Sequence, residues 1–228
     1  IVGHEAVRSG RSKLALGAPL SESDSLALLA AYGIKTARSV TVRDDKELAG
    51  AGLCMTYPVV LKTADPAILH KSDVGGVVLD IADAAQLGQA YDEMRRRLGP
   101  AALVAEMVPE GVELALGVVA DPQWGPVVMI SAGGVLMELL NDSSAALAPV
   151  TPAEAAAMVG SLRIARMLDG YRGSAPVNRA AVADALVRLS WLAADSAGLI
   201  SEIDVNPLIV TTDGCTAVDA LIVPKSCP

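Results

Sequence analysis

Apolar side chains recur in this chain with two spacings, one helical and one extended, and caps and turns mark where one gives way to the other. In DAAQLGQAYDEMRRRLG the residues Leu87, Tyr91, Met94 and Leu98 fall at i, i+4, i+7 and i+11, and Gly99 and Pro100 close the helix behind them. NRAAVADALVRLSWLAADSAG sets Val182, Leu186, Leu189 and Ala193 on one stripe. TPAEAAAMVGSL opens with Thr151 as N-cap, Pro152 at the first helical position and Glu154 completing a capping box. SLALLAAYG reads as a helix from near Ser21 to Gly33, and DDKELAGAG as a short helix capped by Asp44. The runs ARSVTV, PVVLKT, GVVLDI, ALVAEMV, GVELALGVVAD and GPVVMIS read as strands. The end, LISEIDVNPLIVTTDGCTAVDALIV, reads as a β-hairpin around a two-residue type I′ turn at Asp213-Gly214. Residues 1–19 contain Gly3, Gly10, Gly17 and Pro19 without a clear period and read as a linker or N-terminal extension. This irregular alternation predicts an α+β (mixed α/β) fold. The glycine fingerprints of a dinucleotide fold and of a P-loop are both absent from the sequence.

At 228 residues the chain is long enough for one large domain or two intimate subdomains, and an apolar content of 52% supplies a full core. The net charge of -8 argues against a broad nucleic-acid surface, though not against a local phosphate pocket. Cys54, Cys215 and Cys227 lack metal spacing, and this sparse, odd set suits a reducing cytosol. No apolar run approaches the ~20 residues of a membrane helix, and the opening segment lacks the apolar core of a signal peptide. A chain that opens on isoleucine rather than methionine is expected to be an excised or trimmed piece of something longer.

Candidate chemistry is strongest in the terminal hairpin. Along an extended strand Glu202, Asp204 and Asn206 share a face. The Asp213-Gly214 turn would pair Leu208 with Asp219 and Asn206 with Leu221, leaving Asn206 and Asp219 as diagonal neighbours roughly 7–8 Å apart. That pair suits a magnesium ion, which takes one or two oxygen side chains and completes its shell with water and phosphate. The alternative is a solvated hairpin face, and Pro207 in the strand implies an edge or a bulge. Lys62 at the end of PVVLK is either a solvated strand-end lysine or a counter-charge for phosphate. Gly75-Gly76 is either a plain turn or one that lets backbone N–H groups approach phosphate oxygens. His70 is either an exposed loop residue or a nucleophile whose uncharged ring nitrogen attacks phosphorus. Arg172, in LDGYRGSAP, is on a loop and suits a phosphate or carboxylate.

Taken in order, YPVVLKTADPAILHKSDVGGVVL, VPEGVELALGVVADPQWGPVVM, LLNDSSAALAPV, MLDGYRG and EIDVNPLIV…AVDALIV resemble the ATP-grasp domain of the NDP-forming (ADP-forming) acyl-CoA synthetases, relatives of succinyl-CoA synthetase. The resemblance runs from about Ser21 to Val223. It implies an ATP-grasp fold, two subdomains clamping a nucleotide, here expected at 20–104 and 105–228. It implies ATP or ADP with magnesium as cofactors, and CoA-binding and ligase domains as partners, fused or separate. By the same resemblance His70 is the phosphate acceptor and Lys62 a phosphate contact. Glu106, Met107 and Val108 form the hinge that holds adenine through backbone groups, Glu113 is a ribose contact, and Asn206 and Asp219 are the magnesium ligands. The chain departs from the family at Asn141, where a lysine is usual, at Ala146, near which an arginine is usual, and at SAGG in place of GLGG. Those departures fit a rival reading, a regulatory ATP-grasp domain attached to an enzyme such as a protein acetyltransferase. A partner-binding module without nucleotide is the remaining alternative.

Overall fold

The computed structural model describes residues 2–15, 17, 20–65, 67–68, 71–134, 142–170 and 173–225. In chain order its elements are α1 (Val2–Ala15), α2 (Glu22–Ala31), β1 (Ser39–Val42), α3 (Asp45–Cys54), β2 (Val59–Thr63), β3 (Val77–Ile81), α4 (Ala84–Leu98), β4 (Ala102–Glu106), β5 (Val112–Asp121), β6 (Gly125–Ala132), β7 (Ser143–Leu147), α5 (Pro152–Ser161), α6 (Ala165–Leu168), α7 (Arg179–Asp195), β8 (Ile200–Val210), β9 (Cys215–Ala217) and β10 (Leu221–Pro224). Packing divides the chain into two bodies. Residues 37–108 form one, inserted into the other, which comprises 1–36 and 109–228.

Local chemistry starts the helices where the sequence places them. The side chains of Ser21, Asp44, Asp83, Thr151 and Asn178 each accept a backbone N–H of the first turn that follows. Each such cap contributes about 1 kcal/mol. Thr151 and Glu154 form the reciprocal capping box.

Within the expected N-terminal extension 1–19, residues Val2–Ala15 form helix α1. Leu14 is buried in the larger body's core, and a Cβ on Gly10 would lie only 3.2 Å from a methyl of Leu28. The glycine that lowers local helix propensity therefore permits a close crossing of α1 over α2.

The larger body is a six-stranded antiparallel sheet in the order β10-β8-β5-β6-β7, with β9 beside β10 along the same edge of the long β8. Alternation decides its faces. Leu114, Leu116, Val118, Val128, Ile130, Ile203, Val205 and Leu208 point into a core shared with the five helices described in this body. Glu113, Val119, Leu147, Glu202 and Leu221 lie exposed on the other face. Asp142, just ahead of β7, is buried, and its two carboxylate oxygens accept the Arg163 N–H at 2.9 Å and the Ile164 N–H at 2.8 Å.

The smaller body is a four-stranded antiparallel sheet in the order β1-β4-β2-β3. Helices α3 and α4 cover one face through Leu48, Ala51, Leu87, Tyr91 and Met94, which meet Val42, Val59, Leu61 and Val104. The buried Tyr91 hydroxyl donates to the Pro100 carbonyl at 2.8 Å. No helix among the described residues is long and apolar enough to cross a membrane.

Candidate functional site

Lys62 stands in β2, between β3 and β4, with Val77 and Leu103 as its register partners. It is 6% exposed. The solvated strand-end reading is therefore wrong for this lysine. It shares with Val60, Leu103 and Ala105 the sheet face opposite the helices, and all four residues are buried. Desolvating an ammonium costs several kcal/mol unless charge compensates it, so a buried central-strand lysine marks a place built for negative charge.

Strand β2 leads into the segment that contains His70, which lies outside the described residues together with Asn141 and Arg172. The residues on either side of it are tied down. The Asp65 carboxylate accepts the Ala67 N–H at 2.9 Å, and the Asp65 carbonyl accepts the Ile68 N–H at 3.1 Å. On the far side Lys71 to Gly75 form a turn. Gly75 N–H donates to the Ser72 carbonyl at 3.1 Å, and Gly76 N–H to the Lys71 carbonyl at 2.7 Å. Both glycine N–H groups are thus engaged within the turn. The glycines are needed for shape. Gly75 has φ +64, and a Cβ on Gly76 would lie 2.9 Å from the Lys71 oxygen and 2.7 Å from the Thr63 methyl.

At the end of β4 the Glu106 carboxylate accepts the Thr56 N–H at 2.8 Å and pairs with Arg38 at 3.5 Å. Its backbone N–H donates to the Arg38 carbonyl at 2.9 Å, and the Met107 N–H donates to Pro58 at 3.2 Å. Met107 also accepts the Asp80 N–H on its sulfur at 3.3 Å. Among the described residues the Val108 N–H has no hydrogen-bond partner. Glu113, on β5 of the larger body, presents an exposed carboxylate, while its carbonyl accepts the Gly133 N–H at 2.9 Å.

The terminal ribbon corrects the expected register. Val210 pairs with Cys215, so the connection is the four residues 211–214 rather than a two-residue turn at Asp213-Gly214. Leu208 pairs with Ala217, not Asp219, and Leu221 with Asp204, not Asn206. Thr211 accounts for the wider loop. Its N–H donates to the Gly214 carbonyl at 2.8 Å, and its hydroxyl accepts the Asp213 N–H at 3.3 Å. The correction is two residues, an even shift, so each side chain keeps its face. The common offset of these pairs sets Asn206 opposite Asp219, nearer than the diagonal relation expected, with a Val218 N–H to Pro207 carbonyl bond of 3.0 Å beside them. As the proline implied, β8 carries an extra residue between Val205 and Leu208 relative to β5.

Both Asn206 and Asp219 are half-buried. Asp204 is a group that the sequence reading did not weigh as a site residue. Burial pushes its carboxyl above the usual carboxylate range, and the neighbouring Glu202 and Asp219 charges add to the rise. Negative charge is thus crowded on this stretch of the open sheet face. Among the described residues no group of three or more His, Cys, Asp or Glu forms a metal cluster. One amide oxygen and one carboxylate remain, the sparse donor set that magnesium uses with water and phosphate, and the crowding of carboxylates fits a cation there.

The ATP-grasp domain family profile matches residues 14–223. Over 213 residues the chain is 35% identical to the β subunit of acetate–CoA ligase (ADP-forming) I of Pyrococcus furiosus, covering 90% of this chain and 91% of that one. It is 34% identical to the 4-hydroxybutyrate–CoA ligase (ADP-forming) of Nitrosopumilus maritimus, covering 89% of this chain but 30% of that longer one. Among solved structures, the dinucleotide-forming acetyl-coenzyme A synthetase 1 of Ca. Korarchaeum cryptofilum, in complex with coenzyme A, Ca-AMPCP and HgCl+, superimposes with a TM-score of 0.90 at 33% identity, covering 96% of this chain and 100% of that one. Another structure of that protein, with Mg-AMPPCP, is described with its phosphohistidine segment pointing towards the nucleotide binding site, and a third with that segment phosphorylated in a site I orientation.

Proposed function

This chain belongs to the ATP-grasp domain family as the ATP-grasp part of an ADP-forming acyl-CoA ligase, and on that premise we propose that it binds ATP or ADP with magnesium and relays the γ-phosphoryl group through His70. The observation that carries this reading is Lys62, an ammonium group 6% exposed in a strand flanked on both sides. Lys62 faces the transferred phosphate. The Glu106 carbonyl and the Val108 N–H read the adenine edge, because the Met107 N–H is already committed to Pro58. The Glu106 carboxylate, bound to the Thr56 N–H and Arg38, holds that segment in place. Glu113 accepts from ribose hydroxyls. Gly75 and Gly76 act through the tight turn they allow, and Arg172 adds positive charge. Asn206 and Asp219 would hold magnesium, which supplies charge neutralisation at the β- and γ-phosphates.

In the transfer a His70 ring nitrogen uses its lone pair on the γ-phosphorus. The N–P bond forms, the bond to the bridging oxygen breaks, and ADP leaves with that oxygen's charge. The phosphoryl group then passes to the CoA-binding and ligase parts, whether fused or on a separate subunit. One difficult transfer is split into two easier ones. The segment around His70 would take up the two orientations described for the Korarchaeum protein. Cys54 and Cys215 are both free thiols, which suits the reducing cytosol where we place the enzyme.

A regulatory ATP-grasp domain without turnover draws its support from the missing charge near Ala146. Yet Ala146 pairs with Val128 and packs against the large core, on the face opposite Asn206. The absence of an arginine side chain from that core-facing position removes no charge from the open face.

The test uses the complete enzyme with γ-labelled ATP and magnesium. Acid-labile label should appear on His70, disappear in His70→Ala, and transfer out on addition of acid and CoA. A wild-type enzyme that turns over without label at His70 refutes the relay.

A further inference from the structure

We propose that Asp80 is a positioning residue for base selection: its backbone N–H holds the Met107 sulfur, and Met107 so held presents an edge that takes adenine and refuses guanine. The choice of base rests on the reading above, which it deepens; the tie itself stands without it. Strand β3 is an edge strand of the smaller body, with β2 between it and β4. Its ladder with β2 is interrupted. Val59 pairs with Ile81 and Leu61 with Val78, so Leu79 and Asp80 together oppose Val60. This is a bulge, and Asp80 has φ +58, the one positive φ outside glycine among the described residues. Aspartate and asparagine tolerate that region, whereas the β-branched residues common in strands do not. Asp80 is exposed, and its carboxylate enters no hydrogen bond or ion pair among the described residues. What the bulge frees is the backbone N–H, which donates to the Met107 sulfur at 3.3 Å.

Met107 follows the last residue of β4, so its side chain spans the start of β2 to reach β3. Its N–H meanwhile donates to the carbonyl of Pro58, just ahead of β2, at 3.2 Å. Two planar peptide units meet at Met107. The first carries the Glu106 carbonyl and the second the Val108 N–H, the two groups assigned above to the base. The first unit is held by the Met107 bond to Pro58 and by the Glu106 bonds to Thr56 and Arg38. Those bonds act ahead of the Met107 Cα. The sulfur bond acts beyond it, because a side chain tied down while the N–H is also tied down blocks rotation about φ. The second peptide unit then starts from a fixed point. An acceptor and a donor fixed side by side match the amino group and N1 of adenine. Guanine offers a carbonyl oxygen and an N–H at the same places, which sets acceptor against acceptor and donor against donor. That refusal requires both groups to keep their places, since a loose hinge would turn to suit either base.

The experiment compares the complete wild-type enzyme with Met107→Leu, Asp80→Asn and Asp80→Gly. Leucine has nearly the volume of methionine but no acceptor. In Met107→Leu the Asp80 amide should exchange with solvent about threefold faster or more, and calorimetry should show magnesium-ADP binding about threefold weaker, the low end for a hydrogen bond because a thioether is a weak acceptor. Magnesium-GDP binding should not weaken, so the preference for ADP drops by about the same factor. Asp80→Asn and Asp80→Gly keep the backbone N–H at a positive φ and should retain the wild-type preference. Unchanged Asp80 exchange in Met107→Leu overturns the tie. Equal weakening of ADP and GDP overturns base selection, because a merely structural loosening treats both bases alike. Loss of preference in Asp80→Asn moves the effect to the carboxylate and overturns the backbone assignment. A wild type that binds ADP and GDP alike refutes the hinge reading of the base, while the exchange result still decides the tie.

Discussion

Replacing Asp142 tests how the larger body holds the turn before α6. Its carboxylate is 7% exposed and accepts two backbone N–H groups, from Arg163 at 2.9 Å and Ile164 at 2.8 Å. Hydrogen bonds to a charged group contribute about 1.5–3 kcal/mol each, and donors left buried without a partner add their own desolvation cost. The two bonds share one carboxylate, and the substitution also relieves a partly desolvated charge, so the terms do not add in full. Asp142→Ala should cost about 3 kcal/mol, equivalent to about 6–12 °C in melting temperature for a body of this size. Asp142→Asn keeps one acceptor and turns an amide N–H₂ toward a backbone donor, so it should cost about 2 kcal/mol. Urea unfolding followed by circular dichroism gives the values, provided the slope with denaturant is unchanged. Hydrogen exchange should show the Arg163 and Ile164 amides losing protection first. An Asp142→Ala protein within about 0.5 kcal/mol of wild type, with both amides still protected, refutes the clamp.

Lys62→Met fills similar volume without charge. It should keep the fold and lower magnesium-ATP affinity at least about tenfold by calorimetry. Asp204 has a raised carboxyl pKa, so its contribution is greatest below the unfolded value and falls as pH rises through the folded one. Asp204→Asn should therefore melt higher than wild type at pH 7, with the gap closing in acid, as a pH series of melting curves will show. Cys215 is buried, and burial lifts its thiol from 9.0 to about 11, with its sulfur donating to the Ala181 carbonyl at 3.3 Å. The stability this gives is complete below pH 9.0 and lost as pH rises toward about 11, so Cys215→Ala should flatten the alkaline limb of a stability–pH curve. In the native protein exposed Cys54 should react with a thiol reagent well before Cys215, by peptide mass mapping.

The elements legible in the sequence are those whose signals are local. Asp44, Asp83, Thr151 and Asn178 cap where they stand because a side-chain oxygen needs only the next turn. Strand β7, Ser143–Leu147, was missed because Ser-Ser-Ala-Ala-Leu has neither β-branched residues nor alternation, and its existence depends on pairing with β6. Helix α1 was hidden by Gly10, whose value appears only when α2 lies against it. The faces of the terminal ribbon were legible because they follow from period two. Its register was not, since Asp213-Gly214 resembles a tight turn and the competing bonds come from Thr211. For the candidate site, residue types and their order were enough to propose Asn206, Asp219 and Lys62. Burial of Lys62 could not be read from a lysine at a strand end, because it depends on strands on both sides.

The insertion of residues 37–108 into the larger body has a consequence for biogenesis. On the ribosome α1 and α2 emerge before the inserted body, with Leu26, Leu28 and Leu29 uncovered, and the strands that bury them are synthesised only after the inserted body is complete. The inserted body has its own core and can close as soon as it clears the exit tunnel. Translation thus finishes the guest before its host. An arrested nascent chain released near residue 110 would present a folded smaller module trailing two sticky amphiphilic helices, a natural client for a chaperone.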